Sequence, residues 1–520
     1  MSNSRIEEGI LDANHDSFWG ETMQKFIQGR ARLAVAIALA CGTATAAEID
    51  PMLLTQAQNS GSADTLIILD AAVPTSLLRQ DGNYLQRRRN LVDTLRATAD
   101  VSQESLRSWL DDRGIAYRSF WIVNMIQAGL TPAQIRELGS RADVSRLDGN
   151  RPVHMRLPAP PQTPMRPEAV ESVEWGVNKI NAPQVWALGI TGQGVTVAGQ
   201  DTGIRWTHNA LKPHYRGWNG GTADHNYNWH DSIHDSTSNP CGNDSPVPCD
   251  DNGHGSHTVG TMVGDDGAGN QVGVAPGAKW IGCRNMDAGD GTPARYNECA
   301  QWLLAPTDLA GNNPDSSKAP DIVSNSWGCP ASEGCTAGNE VKTAIDNLVA
   351  GGILFVAAAG NDGSGCSTIF DQPATLDSAF TIGSTTTTGP TNTDAMSSFS
   401  SRGPVTGAGR VKPDVVAPGS GVRSVYNSSN TAYTTLNGTS MATPHVAGAA
   451  ALVMSVNPAL KGDPQRVMDI LRQTAVPINS IQTCGGIAAT TFPNPVQGYG
   501  RIDAYAAVIL ADTIFKNGLQ

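Results

Sequence analysis

The sequence predicts an α/β fold, a parallel sheet with helices on both faces, preceded by a small α+β unit. Three observations carry this. Beyond residue 170, short and wholly apolar runs alternate with helical stretches, and strands without polar alternation have to be covered on both faces. The stretch RLPAPPQTPMRPE holds five prolines and separates that pattern from an earlier one, as an extended, exposed connection does. Finally, 55 glycines and 31 prolines against 6% aromatic residues, with no internal repeat, indicate tight turns and long loops.

In the earlier unit, TLIILD reads as a strand, NYLQRRRNLVDTLRATA and SQESLRSWLDDRG as helices, and YRSFWIVNMIQAG as a second strand. A further helix begins at TPAQIRELGS, where Thr131 supplies a cap, Pro132 a first-turn proline and Glu137 an early acid. Beyond the connection, strands are expected at VTVAGQDTGI, AKWIGCRNM, DIVSNSWG, GILFVAAAG and AFTIGST. Helices are expected around ARYNECAQWLL, EVKTAIDNLVA and HVAGAAALVMSV. In such sheets chemistry gathers in loops at the carboxyl ends of strands. Asp201, Asn361 and the segment Asn325 to Trp327 fall there.

A chain of 520 residues that is 40% apolar and 16% charged can bury a large core. Nearly all of its net charge of −12 lies beyond residue 170, which argues against nucleic acid as a partner, since phosphate binding needs a basic face. Near the start, Lys25, Arg30 and Arg32 precede LAVAIALA and then GTATAAE. This is the pattern of an export signal, too short for a stable membrane span, and it sets a leader over residues 1–47. Cys41 falls within it. Eight cysteines follow, and the close pairs 241/249, 283/299 and 329/335 suit disulfide staples. Connectivity is left open, and Cys366 and Cys484 complete the set.

The stretch NGTSMATPHVAG puts Ser440 at a helix start, where free N–H groups and the helix dipole favour negative charge beside its oxygen. His445, five residues on, is turned by roughly 140° from the serine and is expected to be structural. Pro444 is tolerated in a first turn. The base is instead sought in DDNGHGSHTVGTMVG, where His254 and His257 sit among glycines. An imidazole base needs an orienting carboxylate, and Asp201 ends an apolar strand where a lone carboxylate needs a partner. Asn361, on a turn after the buried FVAAAG, offers an amide to a developing oxyanion.

Taken together and in order, DTGI, NGHGSHTVGT, SNSWG, AAAGND and NGTSMATPHVAG resemble the subtilisin family of serine proteases over roughly residues 175–510. Insertions around residues 215–250 and 284–335 are most similar to its bacillopeptidase F type. The resemblance implies a triad of Asp201, His254 and Ser440 with Asn361 as oxyanion donor. It also reads residues 48–157 as an inhibitory propeptide, 158–170 as the linker and 171–520 as the catalytic domain. A secreted monomer, extracellular or periplasmic, that acts on polypeptides and is held by its own propeptide is therefore expected.

Ser326, Trp327 and Gly328 match the family's strand along one wall of the primary specificity pocket. Aligning CSTIFDQPATLDSAFTIGS puts Asp371 at the pocket base, where a carboxylate favours Lys or Arg; a large hydrophobic residue is the competing preference. No cofactor is needed for the chemistry. Structural calcium is implied by the family, yet Ala210 stands where its commonest site has an acid. The loop ADHNYNWHDSIHD offers His225, His230, His234, Asp224, Asp231 and Asp235 to a metal, although a merely solvated polar loop is the plainer reading and no metal site is assigned. Other protease classes fail on inspection: there is no second D-T-G or D-S-G for an aspartic dyad and no His-Glu pair for a zinc site.

Overall fold

The computed structural model describes residues 46–73, 83–156, 173–333, 335, 340–388 and 393–516. The expected linker and, but for Ala46 and Ala47, the expected leader lie outside them. The central sheet runs in the order Thr393–Met396, Phe380–Thr388, Leu354–Ala358, Ile322–Asn325, Thr196–Asp201, Lys279–Arg284, Trp229–Asp231, with Val415–Pro418 also alongside Phe380–Thr388. All pairings are parallel except that of Thr393–Met396. The five expected strands are all present.

Alternation along each strand divides the interior in two. Leu354 and Val356 belong to one apolar cluster, Phe355 and Ala357 to the other. Against the first lie the helices His254–Val263 and Thr439–Val456, which also pack on each other. Their glycines and alanines permit that approach: a Cβ on Gly448 would stand 2.6 Å from Val274 Cβ. Against the second lie Pro293–Leu304 and Glu340–Ala350. The sheet is thus covered on both faces, as its unbroken apolar strands require.

The N-terminal unit is a five-stranded sheet ordered Glu48–Ile49, Val144–Gly149, Ala63–Leu69, Met125–Leu130, Tyr117–Phe120, antiparallel except at its first pair. One expectation is corrected here. YRSFWIVNMIQAG is not one strand but a hairpin, turning through Trp121–Asn124, with Asn124 in the left-handed region at φ 48°, a conformation asparagine tolerates. In the helix Pro132–Gly139 the reciprocal cap pairs Thr131 with Gln134.

The described residues from Ala47 onward pack as one unit. Leu66, Leu91 and Phe120 share an apolar cluster with Leu303, Ile345 and Leu348. Buried main-chain groups at the seam are also satisfied across it. Arg88 Nε donates to Gly351 O at 2.6 Å, Trp121 N to Gln301 Oε1 at 2.6 Å, and Asn347 Nδ2 to Ile122 O at 2.7 Å.

All eight described cysteines are paired, as 241–249, 283–299, 329–335 and 366–484. The last bridge spans 118 residues. Replacing Cys366 and Cys484 by serine together should lower the unfolding free energy by about 2–5 kcal/mol, read from denaturant midpoints; an unchanged midpoint would show that this bridge contributes nothing to stability.

Candidate active site

Asp201 ends its strand 3% exposed, and His254 opens its helix 1% exposed. Asp201 Oδ1 accepts from His254 Nδ1 at 2.7 Å and from Thr202 N at 2.8 Å. A second, partly buried carboxylate sets the meeting of strand and helix. Asp250 accepts from Asn252 N, Gly253 N and Ser256 N at 3.0, 2.7 and 2.9 Å, from Ser256 Oγ at 2.5 Å and from Thr202 Oγ1 at 2.9 Å. It thereby satisfies free N–H groups of the helix start and ties them to the residue after Asp201. Gly253 has φ 102°, and a Cβ there would stand 2.3 Å from the Tyr426 ring, so no other residue fits.

Burial draws the His254 pKa down, but the charge and hydrogen bond of Asp201, with the charge of Asp250, reverse this, and the net shift is upward from 6.5. Two other buried histidines, His257 and His445, behave differently. His257, bonded to Val422 O at 3.0 Å, is held neutral, its pKa lowered by burial to about 3. His445 donates through Nδ1 to Met441 O at 2.8 Å, and burial lowers its pKa to about 4. Its Nε2 lies 2.4 Å from where a Cβ on Gly176 would stand. It is packing, turned toward Gly176.

Ser440 is the second residue of the helix Thr439–Val456, which follows Gly438, and is 2% exposed. Its Oγ donates to Ser326 O at 3.1 Å, and Ser326 Oγ donates to Ser440 O at 3.1 Å. His254 Nε2 is buried with no hydrogen-bond partner, so no hydrogen bond joins the imidazole to the serine hydroxyl. The other side of the cleft is built by Asn361. Its Oδ1 accepts from Thr439 N at 2.9 Å and Thr439 Oγ1 at 3.0 Å, which fixes the amide, and Nδ2 donates to the carbonyl of Arg156 at 3.1 Å.

Arg156 closes a segment laid into the cleft as an added strand. Val153 and His154 pair antiparallel with Gly291 and Asp290, and Met155 N donates to Gly289 O at 3.0 Å. Val153 is fully buried in the cluster that holds Tyr296 and Trp327, whose rings stack at 3.7 Å and 8°. Ser326, Gly328, Asn361, Asp371, Arg156 and Ser440 all line one pocket. Its walls are tied where Cys329 N donates to Gln372 O at 2.6 Å, and a Cβ on Gly328 would stand 3.4 Å from Asp371 Cβ. Asp371 Oδ1 is buried without a partner. Burial and the Asp362 charge raise its pKa to about 6, opposed by Arg156. The Arg156 guanidinium itself stays at the rim, donating to Glu333 Oε1 at 3.2 Å.

The sequence reading located Ser326, Trp327, Gly328, Asn361, Asp371 and Ser440, which share this pocket, and the bonded pair Asp201 and His254. It missed Asp250, Arg156 and Glu333. Asp250 had a signal, the Asp-Asp-Asn-Gly run just ahead of the helix start, although it does not single out Asp250 from Asp251. Arg156 and Glu333 had none, because only folding brings them to the cleft. The side chains of ADHNYNWHDSIHD do not converge on one point. His225 meets Tyr215, Asp231 meets Arg284, Asp235 meets Arg295, and His230 and His234 share Glu298. Among the described residues no group of three or more acidic, His or Cys side chains is arranged to hold an ion. Ala210 is fully buried in the apolar core and brings no side-chain oxygen to a calcium.

In an NMR titration of His254 the imidazole should protonate with a midpoint above 6.5, and in Asp201→Asn below it, because burial then acts without the carboxylate. An unchanged midpoint would show that Asp201 does not set the charge of this histidine.

The family model described as Subtilase family matches residues 192–500. The chain is 34% identical over 442 residues to Bacillopeptidase F of Bacillus subtilis (strain 168), covering 81% of this chain and 29% of that protein. It thus spans less than a third of that relative. It is 33% identical over 316 residues to Subtilisin Savinase of Lederbergia lenta, covering 61% of this chain and 96% of that one. The same identity and length relate it to Alkaline protease of Alkalihalobacillus alcalophilus, at 61% and 68% coverage. A matched family model over more than half the sequence, on an α/β sheet with these residues at its strand ends, leaves one conclusion: the chain belongs to the subtilase family.

Proposed function

We propose that this chain is a serine endopeptidase made as a proenzyme, with Ser440 as nucleophile, His254 as base, Asp201 as its orienting carboxylate and Asn361 as oxyanion donor. The observation that carries the reading is the hydrogen bond from Asn361 Nδ2 to the Arg156 carbonyl, in a segment paired to the cleft as a peptide strand. A carbonyl so held is a substrate's, and the amide that holds it also faces the charge that develops on it.

In this reading Ser440 turns about χ1 from Ser326 O to His254 Nε2. Its Oγ adds to the Arg156 carbonyl carbon while its proton passes to Nε2, and the oxyanion is received by Asn361. As the C–N bond breaks, Nε2 returns the proton to the leaving amine of Leu157. Water then repeats the sequence on the acyl ester, releasing the new carboxylate and restoring the serine. Asp201 keeps its charge throughout and stabilises the imidazolium. Calcium enters no step. Residues 48–156, one residue shorter than the 48–157 expected from the sequence, are read as the propeptide, an inhibitor because its own end fills the cleft. Export to an oxidising compartment belongs to the same reading, supported by the four disulfides.

The primary test is reaction with a fluorophosphonate and sequencing of the processed chain. Label should fall on Ser440 and the new N-terminus should be Leu157. Ser440→Ala should leave the chain uncut, and normal processing of that variant would rule out self-cleavage. Asn361→Ala should lower kcat by about 10²–10³-fold, the loss typical for one such donor and known from a subtilisin itself; a loss under tenfold would remove it from the oxyanion site.

Asp371 adds a pH dependence whose sign follows from its raised pKa. The carboxyl is neutral below about 6 and charged above it. The ratio of kcat/KM for cleavage after Arg to that after Leu should therefore rise as pH passes upward through about 6. His254 titrates equally for both substrates and cancels from the ratio. A flat ratio from pH 5 to 8 would exclude Asp371 from the pocket.

A further inference from the structure

The loop closed by Cys329 and Cys335 carries an acid that bond cleavage does not use. Glu333 stands on the short turn Ala331–Glu333, and its carrier is anchored on several sides. The disulfide holds the two Cα atoms 5.5 Å apart, Glu333 N donates to Pro330 O at 2.9 Å, and Cys329 N is bonded to the opposite pocket wall. A carboxylate on such a loop is held in place before any substrate arrives.

Its two oxygens meet two different features of the seated segment. Oε2 accepts the main-chain N–H of His154 at 3.1 Å, a contact open to any residue and therefore one that positions. Oε1 accepts Nη2 of Arg156 at 3.2 Å, a contact only a long cationic side chain makes. The side chain of Glu333 is 16% exposed and that of Arg156 60%, so the acid belongs to the wall and the guanidinium comes to it from solvent. Of the other charges bearing on this corner, Asp362 and Asp371 are acidic, and His154 is offset by its pairing with Asp290. A cation is attracted at the rim as well as at the pocket base, and an anion is repelled at both.

We propose that Glu333 is a specificity-determining residue, selecting substrates with Arg, and less strongly Lys, on the acyl side of the cut bond by pairing with that side chain at the rim. The proposal rests on the serine-endopeptidase reading above. The fork of the guanidinium reaches Glu333 while its own main chain is held at Asn361, and the single ammonium of lysine offers a poorer match to a fixed carboxylate. Arg156 is then the first side chain to be so selected, within the same molecule.

The test compares kcat/KM on peptides that differ only by Arg or Leu before the cut, for the unmodified protein and for Glu333→Gln. The Arg to Leu ratio should fall about fivefold to tenfold, the scale of one partly exposed charge-assisted pair. A ratio changed by less than about twofold, in a variant whose Ser440 still takes the fluorophosphonate, overturns the role of Glu333 and leaves the protease reading intact. A second arm needs no activity of the enzyme. In the full chain carrying Ser440→Ala, trypsin should cut after Arg156 several-fold faster once Glu333 is also Gln, because the side chain is then freer to enter trypsin; an unchanged rate overturns the pairing. If the unmodified protein takes no label and cuts neither peptide, the protease reading fails, and the trypsin arm alone decides whether Glu333 holds Arg156.

Discussion

The structure turns on one hydrogen bond, the 2.7 Å contact between the buried Asp201 carboxylate and His254. A carboxylate beside an imidazole away from water is costly unless each is held by further partners, and the surroundings supply them. The sheet brings Asp201 to the end of a central strand, Thr202 lends its N–H to the same oxygen, and Asp250 fixes the helix whose first residue is the histidine. Gly253 and Gly255 stand where a side chain would strike Tyr426 or Gly203. The wealth of glycine in this part of the sequence is a geometric condition for the pair.

The N-terminal unit is attached to the same arrangement at two levels. Its sheet and its long helix Tyr84–Ser102 cover the helices Pro293–Leu304 and Glu340–Ala350 with apolar surface, and its last residues extend a small sheet in the cleft. The first contact is broad and chemically undemanding. The second is narrow and meets Asn361, the residue proposed as oxyanion donor. Such a module is placed by its core, and under the propeptide reading it would act by its tail.

The fold was largely legible because a parallel sheet writes itself as apolar runs. Thr196–Asp201, Lys279–Arg284, Ile322–Asn325, Leu354–Ala358 and Phe380–Thr388 need cover on both faces and carry no alternation to mislead. Short strands such as Trp229–Asp231 and Val415–Pro418 escaped, since three or four residues hold no period. The hairpin at Trp121–Asn124 escaped because its turn is formed by apolar residues and one left-handed asparagine rather than by glycine or proline. Within the site, residues embedded in glycine-rich strand ends were readable and long-range partners were not. Nothing near Glu333 announces that it will meet Arg156, 177 positions earlier.

The bridge between Cys366 and Cys484 has a topological side. Ser440 lies inside the loop it closes, while Asp201 and His254 lie outside. A single break in the backbone between those cysteines leaves both fragments covalently joined, with the serine still tethered to the half that carries its partners. Under the protease reading, in which other copies are among the proteins it can cut, an isolated nick there opens the chain without releasing a piece.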